Sequence, residues 1–477
     1  MILQNPNSKI RQKLESYRSE IRENLFSLVK IPSVRSESKE RAPFGEGCAK
    51  ALSAVRELQE NCGYKTVINE EDGYLTAHAG NLNGKKTIGL FAHADVVPTG
   101  DGWVFTSPFE PIEKDGILIG RGVCDNKAGI MMSLYAAKVI DELNLPLKSR
   151  LLLFTGSNEE SGMADIKAFV KKESIPDLSL VPDNSFPVNR GECGVLRWYA
   201  VSDTAFSDAV VSVNGGKAFN AVLGTADVVL KYSKELEGFL ERSVSEDNSL
   251  TFVRDCDTLI LTAHGVTGHA AAPGNAIHAV YLLSKLLSQC DYLTQSDRDI
   301  FAKAADLTVD CYGGGFGISF NDPDFGRLTC INGIASCVDG ILSLTFDCRY
   351  GTSLDSEALE SAIVERLKSI GWNFRLHDGS SGYLVSKDSP IVRSLLSVYR
   401  ECTGEYNAES CLSGGGTYAR RLKNAFSMGD FGFNTPFDVP KGHGGVHQPD
   451  EMIQLDGLLD ATAILIEMIL ACDSYLN

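Results

Sequence analysis

Between residues 8 and 30 apolar side chains recur at helical spacing: Ile10, Leu14, Tyr17, Ile21, Leu25 and Leu28. The stripe predicts one amphipathic helix. Ile31-Pro32 ends it, because the residue before a proline is pushed out of the helical region. Three short apolar runs come next, Thr87–Ala92, Leu151–Thr155 and Leu178–Pro182, with helical patterns at Lys127–Leu143 and Ala164–Lys172 between them. Strand, helix, strand in succession predicts βαβ units around a buried parallel sheet. Sheets of this kind place sites at the carboxyl ends of their strands. Each run here ends in polar residues: His93-Ala94-Asp95, Glu159-Glu160 and Asp183.

From about residue 187 the texture changes. Residues 342–349 alternate strictly, with Leu342, Leu344, Phe346 and Cys348 on one face and Ser343, Thr345, Asp347 and Arg349 on the other. That period predicts a half-exposed strand of an antiparallel sheet. Helical patterns at 276–289 and 354–369 flank it, so the middle region reads as α+β. The chain then returns to a helix at Pro390–Cys402, a Gly-rich loop at 413–416 and a last apolar helix at 455–471. The predicted fold class is α/β, with a largely parallel sheet flanked by helices and an inserted α+β domain. The predicted division is 1–186, 187–382 and 383–477.

Composition narrows the field. The chain has 477 residues, 43% of them hydrophobic, enough for a sizeable core. Its 45 basic and 62 acidic side chains leave a net charge of −17, which argues against nucleic acid or an anionic membrane as partner. The 13 cysteines are odd in number and no two lie closer than Cys330 and Cys337. That spacing argues against a thiolate zinc site and against a disulfide framework, and predicts mostly buried thiols in a reducing compartment. Residues 1–34 lack the continuous apolar segment of a signal peptide. No run reaches the ~20 apolar residues of a membrane span. The expected location is cytoplasmic.

The chemistry-bearing residues are ambiguous one at a time. In a strand, residues two apart share a face, so Asp95 can bond a ring nitrogen of His93 or steer it through neighbouring groups. Asp125 stands in Gly120-Arg-Gly-Val-Cys-Asp-Asn-Lys-Ala-Gly129 at the start of a helix. It reads as an N-cap or as an acid with both oxygens free for a ligand. Glu159-Glu160 repel one another unless a cation or a shared proton intervenes, yet a solvated acidic loop has the same sequence. Asp183, in Val-Pro-Asp-Asn, fits a turn equally well. Near the C-terminus, His443 and His447 compete as ligands.

Taken together these motifs resemble a known family. His93-Ala-Asp-Val-Val-Pro98, Gly102-Trp103, Pro108-Phe109, Asp115-Gly116, the 120–129 segment, Asn158-Glu-Glu-Ser-Gly162, Pro182-Asp183, Gly414-Gly-Gly-Thr-Tyr-Ala-Arg420 and His447-x-x-x-Glu451 occur in order along the chain. They are similar to the dinuclear metallopeptidases related to aminoacylase, carboxypeptidase G and succinyl-diaminopimelate desuccinylase, and within them to the PepV-type dipeptidases. The resemblance implies a catalytic domain in two segments, 1–186 and 383–477, with 187–382 as a lid. It implies two divalent ions per chain, zinc, with manganese or cobalt as substitutes. His93 and Asp183 would hold one, Glu160 and His447 the other, and Asp125 both. Glu159 would be the general base, taking a proton from the attacking water and passing it to the leaving amine, with Asp95 tuning His93. The Asp125-Asn126 peptide would be cis.

In the lid, the resemblance implies that His269 stabilises the tetrahedral oxyanion with Asn220 nearby, and that Arg349 holds the substrate carboxylate as a planar fork. Gly414, Gly415 and Gly416 would present N–H groups to the same carboxylate. The implied activity is metal-dependent cleavage of dipeptides or short peptides, the alternative being an N-acyl amino-acid deacylase or desuccinylase. The partner is a small peptide substrate, and the chain a monomer or a homodimer. Two loops depart from the family pattern: Ala270–Ala276 and Gly429–Gly445.

Overall fold

The computed structural model describes residue 3, residues 8–430 and residues 435–477. The chain forms two compact units. Unit 1 is Met1–Gly191, Val385–Leu412 and Gly416–Asn477, and unit 2 is Glu192–Leu384 with Ser413–Gly415. Part of the 429–445 loop singled out by sequence, residues 431–434, lies outside the described residues.

Unit 1 opens with α1 (Lys9–Ser16), α2 (Arg18–Val29) and α3 (Glu46–Asn61), followed by β1 (Lys65–Asn69), β2 (Tyr74–Gly80) and β3 (Thr87–His93). Next come β4 (Ile112–Lys114), β5 (Ile117–Ile119), α4 (Lys127–Glu142), β6 (Arg150–Gly156), α5 (Ala164–Lys172) and β7 (Leu178–Ser185). The single helix expected over 8–30 is two. Tyr17, at φ −101° and ψ 2°, separates them. One non-helical residue barely rotates the apolar stripe, so periodicity carries across the break unnoticed.

Six strands of the nine-stranded main sheet run in the order β1-β2-β6-β3-β7 and then Ala425–Asp430. The last four are parallel, and β1 and β2 join antiparallel at one edge. Their central strands are uninterrupted apolar runs because both faces are covered. Helix α4 is buried along most of its length between the sheet and the C-terminal helix Leu455–Leu476. Such all-round apolarity is what an interior helix requires.

Strand register sets where the polar residues emerge. His93 pairs with Gly156 across β3 and β6. Leu90 pairs with Leu180 across β3 and β7, so three residues further on His93 is level with Asp183. The polar residues after all three strands therefore leave the sheet at one edge. Gly156 itself must be glycine: a Cβ there would lie 1.9 Å from the Tyr418 hydroxyl and 2.3 Å from Asp165 Oδ2. A separate small sheet pairs β5 with β4 and with the strand Met452–Gln454.

Unit 2 is built on an eight-stranded antiparallel sheet. Its core centres on Trp198, stacked on Phe346 with ring centroids 5.4 Å apart. The strand Ile341–Tyr350 contains the alternating stretch, but its polar face is not half-exposed. Thr345, Asp347 and Arg349 are only 3%, 0% and 6% exposed. The strand has neighbours on both sides, and its charges are paired. Asp347 Oδ1 accepts from Arg349 Nε at 2.6 Å, and Oδ2 accepts from Arg349 Nη2 at 2.9 Å and Arg197 Nε at 2.7 Å. A charge is tolerated inside when it is paired in this way. Among the described residues no helix is long and apolar enough to cross a membrane.

Candidate metal centre

Seven of the residues singled out by sequence meet at the carboxyl edge of the unit 1 sheet. His93 ends β3 and Asp95 comes two residues later, Asp183 lies in β7, Glu159 and Glu160 come after β6, and Asp125 precedes α4. His447 arrives on the loop before Met452–Gln454. Asp125 is not a helix cap, since Asn126 occupies that position and makes no side-chain cap bond. The Asp125-Asn126 peptide is cis.

Asp125 stands between the two imidazoles. Its Oδ1 is 3.1 Å from His93 Nε2 and its Oδ2 is 2.9 Å from His447 Nε2. His93 Nε2 also faces Asp183 Oδ1 at 3.6 Å, and His447 Nε2 faces Glu160 Oε1 at 3.2 Å. His443 is elsewhere: its Nδ1 is 2.6 Å from Asp450 Oδ2. So of the two late histidines, it is His447 that joins the acids.

The protonation pattern shows where the cluster favours positive charge. His93 Nδ1 lies 2.9 Å from the carbonyl of Asp95. A carbonyl only accepts, so Nδ1 carries the hydrogen. A neutral ring would then aim the lone pair of Nε2 at two carboxylate oxygens. Burial alone would lower the His93 pKa, but the charge of Asp183 and hydrogen bonds to Asp125 and Asp183 drive it well above the ordinary value. Burial would likewise lower His447, yet its bonds to Asp125 and Glu160 take it to about 11. Burial, with the charge of Asp125, lifts Glu160 to about 7. Burial also lifts Glu159 well above the carboxylate range. Positive charge is in demand at two points.

Divalent ions fit that demand. Two ligands of a tetrahedral zinc, each about 2.0 Å from it, are roughly 3.3 Å apart, and the four nitrogen–oxygen separations here run from 2.9 to 3.6 Å. His93, Asp125 and Glu160 form one group able to hold an ion, and His93, Glu159 and Asp183 another. Glu159 Oε1 is buried with no hydrogen-bond partner, as suits an oxygen that awaits a ligand or a proton. Imidazole with carboxylate is the donor set of zinc and its first-row neighbours.

The surrounding residues make contacts that sequence reasoning missed. The Asp95 carboxylate is 3.5 Å from His93 Nδ1. Its closer contacts are the backbone N–H groups of Glu159 and Glu160, each 3.1 Å away and each donating to a different oxygen. It fixes the acidic pair as much as it steers His93. Asp165, fully buried, accepts from the N–H groups of Ser157 and Asn158 and from the Tyr418 hydroxyl at 2.6 Å. Nothing in its sequence context separates it from a surface helix acid.

In unit 2, Asn220 and His269 are neighbours: Ala221 forms an antiparallel bridge with His269, and the Asn220 carbonyl accepts from the N–H of Ala270 at 2.8 Å. Arg349 Nη1 donates to the Gly414 carbonyl at 3.1 Å. Gly415 belongs to the same unit, Gly416 to unit 1. The fork Arg349 was expected to offer a substrate is already occupied on one edge by Asp347.

A histidine-flanked acidic cluster at the ends of parallel strands defines a metal-dependent hydrolase. The chain belongs to Peptidase family M20/M25/M40, whose model matches residues 89–471. A protein of Staphylococcus aureus strain USA300, provisionally named a dipeptidase, is 28% identical over 476 residues, covering 96% of this chain and 98% of the relative. Human carnosine dipeptidase 1 has a similar structure, with a TM-score of 0.57 at 14% identity over 98% of this chain and 99% of that one. So does aminoacylhistidine dipeptidase from Vibrio alginolyticus, with a TM-score of 0.54 at 15% identity over 98% and 99%. At such identities the structural likeness speaks for the fold alone.

Proposed function

We propose that the protein is a metal-dependent exopeptidase that hydrolyses dipeptides or similarly short peptides with two divalent ions. The observation that carries the metal reading is Asp125, whose two oxygens face two different histidine nitrogens within 3.1 Å. On this reading His93 and Asp183 hold one ion, Glu160 and His447 the other, and Asp125 serves both. Zinc fits the donor set best, with manganese or cobalt as substitutes. When bound, such ions polarise the scissile carbonyl and make water acidic enough to ionise near neutrality.

The chain's own groups do the rest. Glu159 keeps an unpartnered buried oxygen and holds its proton more tightly than an ordinary carboxylate. That suits a group that takes a proton from water and returns it to the leaving amine. Asp95 holds the backbone of Glu159, which fixes where that proton moves. In unit 2, Asn220 and His269 are assigned to the oxyanion. Arg349 and the N–H groups of Gly415 and Gly416 are assigned to the substrate carboxylate. Dipeptide substrates are supported by the S. aureus relative's name together with full-length coverage.

A panel of free dipeptides and N-acyl amino acids, assayed before and after a chelator, tests the proposal. Dipeptides should be cleaved faster, and zinc, cobalt or manganese should restore the lost rate. Preference for acyl amino acids would move the enzyme to the deacylase reading. Undiminished cleavage after chelation would overturn the metal reading.

A further inference from the structure

We propose that Arg121 and Glu451 form a buried brace that locks the Asp125 loop to the His447 loop, and so sets the geometry of one half of the metal centre. The proposal rests on the two-ion reading. Neither residue belongs to the ligand set, and neither is assigned a role by that reading.

The chain itself brings the two loops together. Strand β5 pairs antiparallel with Met452–Gln454, with Met452 opposite Ile119. The segment that leaves β5 runs to Asp125, and the segment that enters Met452 comes from His447. Both therefore start at the same end of one ladder. The pairing continues one step past it, where the N–H of Gly120 donates to the Glu451 carbonyl at 3.0 Å.

Side chains then complete the tie. Glu451 Oε1 accepts from the N–H groups of Cys124 and Asp125, each at 2.9 Å. Its Oε2 accepts from Arg121 Nη1 at 2.7 Å. Arg121 Nη2 donates onward to the carbonyls of Thr99 at 3.2 Å and His447 at 3.4 Å. The path is continuous: Asp125 backbone, Glu451, Arg121, His447 backbone. Both side chains are only 1% exposed, so solvent does not loosen it.

Two features make this a positioning device and not merely buried packing. First, the bonded peptide groups are those from which Asp125 and His447 spring. Second, His447 sits at φ +63°, a conformation uncommon for a residue with a side chain and held only where the surroundings insist on it. The Arg121 contact to its carbonyl is one such constraint. His93 and Asp183 are borne by strands β3 and β7 of the main sheet and need no such tie.

The consequence is an asymmetry. Weakening the brace should loosen the ion at Glu160 and His447 more than the one at His93 and Asp183, since Asp125 serves both but only the first also depends on His447, whose carbonyl the brace holds. The test is a zinc titration of chelator-stripped protein in competition with a chromophoric chelator, on the wild type, Glu451→Gln and Arg121→Lys. Cobalt absorption in parallel titrations reports the environment of each equivalent. The wild type should bind two equivalents. In each variant one equivalent should weaken about 10–100-fold, the usual cost of losing a group that orients a ligand, and the other should weaken by clearly less. Arg121→Lys keeps the charge and serves if Glu451→Gln does not fold. A folded variant with both affinities unchanged, or with both weakened alike, overturns the brace. Failure of the wild type to take up two equivalents overturns instead the two-ion reading beneath it.

Discussion

Glu159 and Glu160 are neighbours in sequence with different surroundings. Glu160 meets His447, whereas one Glu159 oxygen has no partner. The difference yields a test of their separate roles. Glu159→Gln should keep its metal and lose about 10²–10⁴ in kcat, the range that a general base contributes. Metal analysis alongside kcat measures both halves of that statement, and a variant that turns over at the wild-type rate removes Glu159 from the mechanism. Arg349 offers a second test. Asp347 and the Gly414 carbonyl engage three of its N–H groups, leaving two for a substrate carboxylate. Asp347→Asn should raise KM for a free dipeptide about tenfold, or about 1.4 kcal/mol, with little change for the corresponding dipeptide amide. Equal effects on both would mean that Asp347 only supports the fold.

At this scale much was legible, because His93, Asp125, Glu159, Glu160, Asp183 and His447 stand in recognisable strings. What sequence could not give was the second partner of each. Asp95 bonds the Glu159 and Glu160 N–H groups, a contact made across two strands that no local spacing encodes. The Asp347–Arg349 pair was within reach, since residues two apart in a strand share a face. Strict alternation predicts exposure of that face, however, and says nothing of a pair that lets charge be buried.

At the scale of elements, the site depends on β3, β6 and β7 ending level, and on short connections that stay where register leaves them. Asp165 holds the β6–α5 connection by accepting the N–H groups of Ser157 and Asn158. Burial and the nearby Asp95 charge raise its pKa to about 6. A raised carboxyl is protonated in the folded chain where the unfolded chain, at about 3.9, has already released its proton. This group's contribution to stability is therefore whole below about pH 4 and falls as pH rises towards about 6. A rise of that size in proton affinity corresponds to roughly 3 kcal/mol. Chemical denaturation of the wild type and Asp165→Asn across that range should show the wild type losing ground as pH rises, with the difference levelling off above about pH 6. A difference that does not vary with pH would contradict this role for Asp165.

The parallel strands and long helices were readable as apolar runs and stripes. The three-residue strands β4, β5 and Met452–Gln454 were not, because a three-residue run carries no period to detect. Yet these are the strands that seat Glu451 beside Arg121.

At the scale of the molecule, the net charge of −17 gains a local meaning. Five of the acids, Asp95, Asp125, Glu159, Glu160 and Asp183, gather at one sheet edge around two histidines, and self-repulsion there is what bound cations relieve. Ligands that bind only the folded chain stabilise it, by about 4 kcal/mol at a thousandfold excess over Kd. Zinc at such an excess should therefore raise the melting temperature of the stripped protein by roughly 4 °C for each ion bound, read by calorimetry. No shift with metal would argue that the cluster does not bind it in the native state.

The most direct check tracks bound metal and dipeptide turnover together as zinc is returned to the chelated protein. The two-ion mechanism predicts binding that saturates at two equivalents per chain and turnover that reaches its maximum only as the second is taken up. Full turnover of the metal-free protein, or binding that stops short of two equivalents while the enzyme is fully active, would contradict it.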